Sequence, residues 1–322
     1  MRFSPKLVPR IWFVLAVLWL CIPVLEAKTK IVLIAGEKSH PSGQHEYAAG
    51  CKLLARALNE QSGLDVEAVV VTNGWPKDEG VFNGAKAVVC YADGGPKHPF
   101  VGHLPKVEEM AGKGVGIMCM HYGVEVVAGE AGDAFKNLIG GYYESGYSVN
   151  PHWDADTTPN AQHPISRGVN PAKVHDEWYF HIRFAEPMTA TPILEATPTL
   201  ALVKRYIHWN PTADSSLGHP QALMWGLQRP DGGRGVGFTG GHWHRNWAID
   251  DFRKIVLNAI VWVAGLEVPQ GGVKSLPLTE AQLNENLEPK SPMVHVKLPS
   301  AGDFELPTAD PSSAGSPPAP KK

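Results

Sequence analysis

The stretch KIVLIAG at residues 30–36 decides the fold class that we predict for this chain. It is a continuous apolar run between a lysine and a glycine, which is typical of a strand buried on both faces of a parallel sheet. Residues 46–61 follow, and their apolar side chains recur at helical spacing: Tyr47, Cys51, Leu54 and Leu58. A strand followed by such a helix predicts the start of a βαβ unit.

The same alternation continues outward from this first unit. Further apolar runs predict strands over 66–71, 85–91, 114–120 and 233–239, and helices over 105–113 and 250–265. Between them, residues 142–235 carry short alternating runs, such as 200–209 and 221–228, which predict an inserted region of antiparallel strands and loops. We therefore expect an α/β fold of the flavodoxin-like type, with a mostly parallel sheet and helices on both faces.

The two ends of the chain differ from this central domain, which we place at residues 28–268. Residues 1–27 combine three basic residues with an apolar stretch over 11–24, which predicts a signal peptide cleaved after Ala27 rather than a membrane span. We therefore expect a secreted or periplasmic protein of the bacterial cell envelope. Residues 269–322 are rich in proline and serine, which predicts a largely disordered tail with a short helix within 278–290.

Charge and cysteine content exclude two classes of function. The net charge is −3, with 29 basic and 32 acidic residues scattered along the chain, so the basic footprint of a nucleic-acid-binding protein is missing. After the signal peptide three cysteines remain, Cys51, Cys90 and Cys119, each inside an apolar pattern. An odd number without a CxxC motif predicts buried free thiols and no redox chemistry. The sequence does not indicate an oligomeric state.

Polar side chains follow four of the predicted parallel strands. In an open α/β sheet, ligands bind beyond the carboxyl ends of the strands, so these loops are expected to meet at one edge. The candidates are His40, His45 and Glu46 in the first loop, Asp93 and His98 in the second, His121 and Glu125 in the third, and His242 and His244 in the last. A lone loop histidine is more often structural, and we interpret His152, His163, His208 and His219 in that way. His98 and His103 can equally be surface residues.

Two aromatic stretches add candidate residues for ligand binding. HDEWYFH at 175–181 places Asp176 and Glu177 beside Trp178, and GGHWHRNW at 240–247 contains Trp243 and Trp247. Aromatic faces stack on sugar rings while carboxylates bind hydroxyls or act as a general base, so both stretches suit a carbohydrate. The alternatives are a solvated acidic pair at a strand edge and tryptophans that only pack a turn.

Histidine and carboxylate ligands from separate loops are typical of catalytic zinc sites with an open position. The candidate ligands of a divalent metal such as zinc are His45, His121, His242 and His244, although no HExxH motif is present. His242 and His244 would share a side if their segment were extended. General acid–base chemistry without a metal is the alternative interpretation of the same residues.

Four stretches together resemble the ThuA-like (trehalose utilisation) family: residues 30–58, 114–126, 175–181 and 233–265. The resemblance covers about residues 30–268 and implies the fold of the class I glutamine amidotransferases. In those enzymes an elbow after a strand presents a nucleophilic cysteine. Here the similar elbow, IMCMHYG at 117–123, places His121 at the turn and Cys119 inside the strand, so we do not expect glutaminase activity. His242 stands where that fold supplies a catalytic histidine.

The resemblance implies a role in sugar metabolism. We expect an exported enzyme that acts on a small carbohydrate, such as trehalose or a keto-glycoside, as a hydrolase, lyase or isomerase. The candidate catalytic residues are His121, His242, Glu46 and Glu177, and the candidate substrate-binding residues are Asp93, Asp176, Trp178, Trp243 and Trp247. The alternative is a non-catalytic sugar-binding or scaffold protein of the envelope, although a pure sugar binder needs fewer imidazoles.

Overall fold

The computed structural model describes residues 1, 27–203 and 209–300. Most of the predicted signal peptide, the segment 204–208 with His208, and the end of the predicted tail therefore lie outside the described residues. Within the described ranges, no helix is both long and apolar enough to cross a membrane.

The order of elements follows the predicted alternation of strands and helices in the first half of the domain. These elements are β1 (Thr29–Ala35), α1 (Tyr47–Arg56), β2 (Val66–Val71), β3 (Ala85–Tyr91), α2 (Leu104–Gly112), β4 (Gly116–Met120) and α3 (Glu130–Ile139). The second half contains β5 (Gly141–Tyr142), β6 (His152–Pro159), β7 (Ala172–Glu177), β8 (Arg183–Phe184), β9 (Thr191–Ala196), α4 (Leu200–Val203), β10 (Gln221–Gln228), β11 (Arg234–Phe238), α5 (Asp250–Val263) and α6 (Glu280–Leu283).

One nine-stranded sheet organises the molecule, in the order β2-β1-β3-β4-β11-β10-β9-β6-β7. The first five strands pair in parallel. The last four are antiparallel to their neighbours and come from the predicted insertion. The structure thus confirms the predicted fold class, with a mostly parallel core and an antiparallel region inserted before its last strand.

The central strand β1 is buried on both faces, as its continuous apolar sequence predicts. Ile31 and Leu33 belong to the hydrophobic core on one side of the sheet, and Val32 and Ile34 to the core on the other side. All four are fully buried. The two cores require a helix layer on each face, because alternate side chains of a strand point to opposite faces. The three cysteines are free and buried, which confirms that prediction.

One predicted strand is wrong at its start. Residues 200–209 alternate in polarity, yet Leu200–Val203 form the short helix α4, in which the carbonyl of Thr199 accepts hydrogen bonds from the amides of Leu202 and Val203. The rest of this run, residues 204–208, lies outside the described residues. The preceding strand β9 is already paired on both sides, with β10 and β6, so no free sheet edge remains there for another strand.

The structure also corrects the first part of the predicted disordered tail. Residues 269–300 follow the surface of the domain, and Leu283 and Val296 are buried against it. A capping box between Thr279 and Gln282 starts α6, which confirms the short helix. The composition conceals this order because the segment is held by buried polar contacts as much as by apolar packing. Residues 301–322 lie outside the described ranges.

Candidate functional site

Four chain segments bring three histidines and one glutamate together at the carboxyl ends of the parallel strands. His45 precedes α1, His121 follows β4, His242 follows β11, and Glu177 ends β7. One ligand atom from each of the four lies within 4.8 Å of the others. We call this group the histidine–glutamate cluster. It lies at the sheet edge where the sequence predicted that the loops would meet.

The distances within the cluster are those of close polar contact. His45 Nε2 lies 3.0 Å from His121 Nε2 and 3.0 Å from His242 Nδ1. Glu177 Oε2 lies 3.0 Å from His242 Nδ1 and 3.4 Å from His121 Nε2. The three imidazoles are at most 4% exposed, so these contacts are almost free of solvent.

An unusual backbone conformation orients two of these histidines. His45 and His121 have φ angles of 45° and 53°, in the left-handed region that residues other than glycine rarely adopt. Such a conformation costs on the order of 1–3 kcal/mol and persists only where the surroundings hold it. The amide of His45 donates to the carbonyl of His242 at 3.0 Å, which ties two of the loops together.

The neighbours of His121 and His45 determine which ring nitrogen carries the proton. His121 Nδ1 lies 2.9 Å from the carbonyl oxygen of Thr239 and must donate to it. His45 Nδ1 lies 2.5 Å from the hydroxyl of Tyr47, which itself donates to Asp93 Oδ1 at 2.5 Å. In both neutral rings the proton is therefore on Nδ1, and the lone pair of Nε2 points into the cluster.

Burial and mutual charge shift the pKa values in different directions. Burial holds the pKa of His45 well below its usual value, reinforced by the nearby His121 and His242. Burial also lowers the pKa of His242, although Glu177 opposes the shift. For His121, burial is outweighed by the hydrogen bond and charge of Glu177, which raise the pKa. The pKa of Glu177 falls well below its usual value despite burial, because His242 and His121 face it.

A second layer of side chains surrounds Glu177. The Tyr179 hydroxyl lies 3.4 Å from Glu177 Oε2 and 3.4 Å from His121 Nε2, and Asn150 donates to Glu177 Oε1 at 2.8 Å. His152 Nε2 lies 3.8 Å from the same oxygen, so this histidine, for which the sequence indicated no cluster, borders the histidine–glutamate cluster. The pairing of β6 with β7 places His152 opposite Glu177, and this register is not visible in the sequence.

Side chains that border the cluster are partly exposed to solvent. His152, His40 and Asp93 are 38%, 33% and 22% exposed. The His40 ring stacks on that of His45 with 3.6 Å between centroids. Asp93, a substrate-binding candidate from the sequence, borders the cluster, with Oδ1 at 3.3 Å from His45 Nδ1. His40, His45 and Asp93 form a second group able to hold a metal, but it shares His45 with the cluster.

The sequence profile of the ThuA family, described as trehalose utilisation, matches residues 31–263. The chain belongs to the ThuA family. No curated protein matches it in sequence.

Two solved structures of ThuA-like proteins have a similar fold, and a third solved structure is more distant. A ThuA-like protein from Parabacteroides merdae is 15% identical with a TM-score of 0.53, over 80% of this chain and 99% of that one. A ThuA-like protein from Bacteroides uniformis is 14% identical with a TM-score of 0.50, over 74% of this chain and 92% of that one. A glutamine amidotransferase from Thermotoga maritima has a TM-score of 0.40 at 10% identity, over 80% and 99%.

Glu46, a catalytic candidate from the sequence, lies outside the cluster in this ThuA-family protein. Its buried carboxylate accepts hydrogen bonds from the amides of Gly43 and Glu288, both at 2.8 Å. Lys290 Nζ lies 3.4 Å from it. His45 and Glu46 are neighbours, but the side chains of successive residues entering a helix diverge, so only one of the two reaches the cluster.

Three substrate-binding candidates belong to the protein interior. Asp176 is fully buried and accepts from the amides of Gly241 and His242 at 2.8 and 3.0 Å, so it fixes the loop that carries His242. Trp178 and Trp247 are fully buried in the hydrophobic core. Contrary to the prediction, these three residues are therefore not placed to contact a sugar. Trp243 remains half-buried beside the cluster, its ring 4.9 Å from that of His242.

Two histidine predictions are corrected for a similar reason. His244 is not in the cluster, because a 3-10 turn begins at this residue and directs Nε2 to the carbonyl of Leu283 at 3.1 Å. An extended segment, in which His242 and His244 would share a side, is therefore not formed. His98 is a buried residue rather than a surface one, and its Nε2 donates to the carbonyl of Gly123 at 2.8 Å.

The elbow after β4 is as the sequence predicts. His121 occupies the turn, and Cys119 is fully buried within the strand, where burial raises the pKa of its thiol. A buried protonated thiol is a poor nucleophile. Among the described residues, the elbow therefore presents an imidazole in place of the amidotransferase cysteine.

Proposed function

We propose that this ThuA-family protein is an exported enzyme of carbohydrate metabolism, acting on a small sugar such as trehalose or a keto-glycoside. We further propose that its histidine–glutamate cluster holds a divalent transition metal such as zinc. The family description supports the sugar, and the geometry of the cluster supports the metal and the catalytic role.

One observation carries the metal proposal. In the neutral rings, whose Nδ1 atoms donate elsewhere, the lone pairs of His45 Nε2 and His121 Nε2 face each other at 3.0 Å. Two lone pairs at this distance repel unless a proton or a metal ion lies between them. A metal ion accounts for more of the arrangement than a proton does, because His242 and the carboxylate of Glu177 complete a set of four donors around the same point.

The donor set also fits a transition metal. Three imidazole nitrogens and a carboxylate oxygen are ligands that zinc prefers, and bonds of about 2.0–2.1 Å place tetrahedral ligands about 3.3 Å apart. The four contacts measured in the cluster are 3.0 to 3.4 Å. The hydrogen bonds from Nδ1 of His45 and His121 are the outer contacts that usually orient metal-binding histidines.

The side chains of the cluster then have distinct tasks. A bound ion would polarise a sugar carbonyl or hydroxyl and lower the pKa of bound water. The ionised Glu177 is available as a ligand or as a proton acceptor, held by Asn150 and Tyr179. His152 and Asp93 are partly exposed beside the cluster, and we propose that they hydrogen-bond to hydroxyl groups of a sugar.

A non-catalytic sugar-binding protein is the second candidate. It would rely on exposed aromatic platforms, but of the three tryptophans predicted to contact a sugar, Trp178 and Trp247 are buried in the core and Trp243 is half-buried. Binding a neutral sugar also gives no reason to hold histidines in left-handed backbone conformations around a buried carboxylate. Both points favour the enzyme.

Metal analysis of matched variants tests the metal proposal. We expect about one divalent ion per chain in the wild-type protein and loss of that ion in His242→Ala. His244→Ala is the control, because it removes a neighbouring buried imidazole that points away from the cluster. Equal metal content in all three proteins, or none in the wild type after loading with zinc, contradicts the proposal.

Turnover of a panel of disaccharides and keto-glycosides, with trehalose included, tests the reaction. We expect turnover by the wild type and by His244→Ala, and a loss of at least about 100-fold in His242→Ala, in line with removal of a group essential for general acid–base or metal catalysis. Metal binding without turnover of any sugar, but with measurable sugar affinity, would favour the non-catalytic candidate instead.

Export is a separate part of the proposal. The mature protein recovered from the envelope of an expressing bacterium should begin at Lys28, which N-terminal mass determination can show. An intact N-terminus beginning at Met1 in the soluble fraction of the cell would contradict export.

A further inference from the structure

A segment beyond the matched ThuA region lies directly behind the candidate site. The family profile ends at residue 263, but residues 284–296 return to the loop that carries His45. We call residues 284–296 the strap. Its contacts with the loop are polar and specific, as the amide of Val294 donates to Ser42 Oγ at 3.0 Å.

Lys290 makes the closest of these contacts. Its side chain is only 4% exposed, and Nζ donates to the carbonyls of Gln44 and His45 at 2.5 and 3.1 Å. Nζ also lies 3.4 Å from Glu46 and 3.3 Å from Glu288. A buried ammonium group held by two carboxylates and two carbonyls fixes the backbone around it, because moving any partner leaves a buried charge uncompensated.

Glu46 completes this network from the other side. Its two carboxylate oxygens accept from the amide of Gly43, before His45, and from the amide of Glu288, in the strap. Glu288 in turn accepts from the amide of Ala48 at 3.3 Å, after His45. The backbone is therefore fixed on both sides of His45 by contacts that depend on the strap.

These contacts coincide with the strained residue of the cluster. His45 has a φ angle of 45°, and the two carbonyls bound by Lys290 are its own and that of the preceding residue. A left-handed histidine relaxes to an ordinary conformation unless its neighbours prevent it. Relaxation at this position would turn the imidazole away from His121 and His242.

We propose that the strap is part of the site, and that Lys290 is a positioning residue that holds His45 in place to bind a divalent metal ion. The inference deepens the proposed function and rests on it for the identity of the ligand. It also assigns Glu46 a task, as the partner that anchors both the loop and the strap rather than as a catalytic acid or base.

Zinc affinity of the full chain gives the first test. We expect Lys290→Met to weaken zinc binding by about 10- to 100-fold, the usual effect of removing a group that orients a metal ligand. Lys290→Arg should recover part of the loss, because it keeps the charge. Lys297→Met is the control. Lys297 is exposed and follows directly after the strap, so its replacement should leave the zinc affinity unchanged.

A second control separates a general loss of stability from a loss of the positioning of His45. Val296→Ala removes apolar packing of the strap, where Val296 is 6% exposed, without touching the charges. It should lower the melting temperature with less than about a threefold change in zinc affinity. If it weakens zinc binding as much as Lys290→Met at equal stability, Lys290 has no special role and the proposal is overturned.

The position of His45 can also be measured without metal. In protein with isotope-labelled histidine, the ring resonances of His45, assigned through His45→Gln, report its tautomer and its contacts. We expect Lys290→Met to shift these resonances and Lys297→Met to leave them unchanged. If the wild type fails to bind zinc but this shift is seen, the metal proposal fails while the strap's role stands. Unchanged His45 resonances in folded Lys290→Met would overturn the proposed role of the strap.

A milder variant covers the case in which Lys290→Met does not fold. Ser42→Ala removes only the hydrogen bond from the amide of Val294 and buries no unpaired charge. Loss of that one bond should weaken zinc binding by about threefold and shift the His45 resonances. Wild-type affinity and resonances in Ser42→Ala, with Lys290→Met unfolded, contradict the proposal.

Discussion

At the scale of the residue, the chemistry of the site depends on which ring nitrogen of each histidine carries the proton. Thr239 fixes the Nδ1 proton of His121, and Tyr47 with Asp93 fixes that of His45. The two Nε2 lone pairs are therefore aimed at the same point. None of these partners belongs to the histidine–glutamate cluster, but each decides whether the neighbouring ring can be a ligand there.

Tyr47→Phe tests this outer contact. The ring is retained, so the packing of Tyr47 on Tyr91, with 4.7 Å between centroids, is expected to persist while the hydroxyl between His45 and Asp93 is lost. We expect zinc affinity to fall by about 10-fold, measured by competition with a chelating dye. Tyr142→Phe, which removes a hydroxyl bound to Glu144 outside the cluster, should retain wild-type affinity; equal losses would contradict the prediction.

His98 provides a prediction for pH dependence away from the cluster. Burial lowers its pKa to about 4 from 6.5, so the folded protein keeps it neutral while the unfolded chain protonates it as the pH falls below 6.5. The unfolded state binds more protons in this window, and stability is therefore lost as the pH decreases toward 4. The contribution of His98 to this loss between pH 7 and pH 5 should be about 2 kcal/mol.

His98→Asn measures that contribution, because an amide keeps hydrogen-bonding capacity but does not titrate. Urea unfolding at pH 7 and pH 5 should show a smaller difference in the free energy of unfolding than in the wild type, by about 2 kcal/mol. The exposed His103 supplies the control variant His103→Asn. An unchanged difference in His98→Asn would show that another group accounts for the acid sensitivity.

At the scale of the element, the close packing of α5 on β4 determines where the carboxyl end of that strand lies. A Cβ atom at Gly116, the first residue of β4, would lie 1.9 Å from the carbonyl oxygen of Val263, at the end of α5. Only glycine permits this approach. The same strand ends at Met120, directly before His121, so its placement also determines where that imidazole stands.

Gly116→Ala should therefore destabilise the protein. Backbone must shift to admit the methyl group, and such overpacking costs about 1–3 kcal/mol of unfolding free energy, measured by urea denaturation. Gly112→Ala is the matched control, because its Cβ would meet no atom within 4 Å in α2. There alanine should be neutral or stabilising by up to about 1 kcal/mol. Equal stability of the two variants would contradict this account of the packing.

The whole molecule is needed to assemble the site. The segments that carry His45, His121, Glu177 and His242 are far apart in sequence, and β7 stands four places from β11 in the sheet. The contacts of Asp176 with the amides of Gly241 and His242 join the end of β7 to the loop after β11. The antiparallel region thus returns to the carboxyl ends of the parallel strands, and the cluster exists only in the folded chain.

Metal binding should consequently stabilise the whole fold. An ion that binds only the folded state, at 100 times its dissociation constant, adds about 2.7 kcal/mol to the free energy of unfolding. We expect zinc to raise the melting temperature of metal-stripped protein, and a chelator to reverse the effect. His242→Ala should show no such shift, whereas His244→Ala should behave as the wild type. A shift of equal size in His242→Ala would indicate binding elsewhere.

The sequence by itself determined the framework of this protein. Short continuous apolar runs between turn residues are typical of strands covered on both faces, so the parallel core, its helices and the loops that carry His45, His121 and His242 followed from residue pattern. The antiparallel insertion and the buried cysteines followed in the same way. These features depend on short-range periodicity and on burial, which the order of residues encodes directly.

Only the tertiary structure decided which side chain of each neighbouring pair enters the site. His45 and not Glu46, Glu177 and not Asp176, and His242 and not His244 face the cluster. Adjacent residues point in different directions, and local backbone angles such as the left-handed φ of His45 choose between them. Those angles are held by distant contacts, including Lys290 with His45, and a contact across 245 positions leaves no pattern in the sequence.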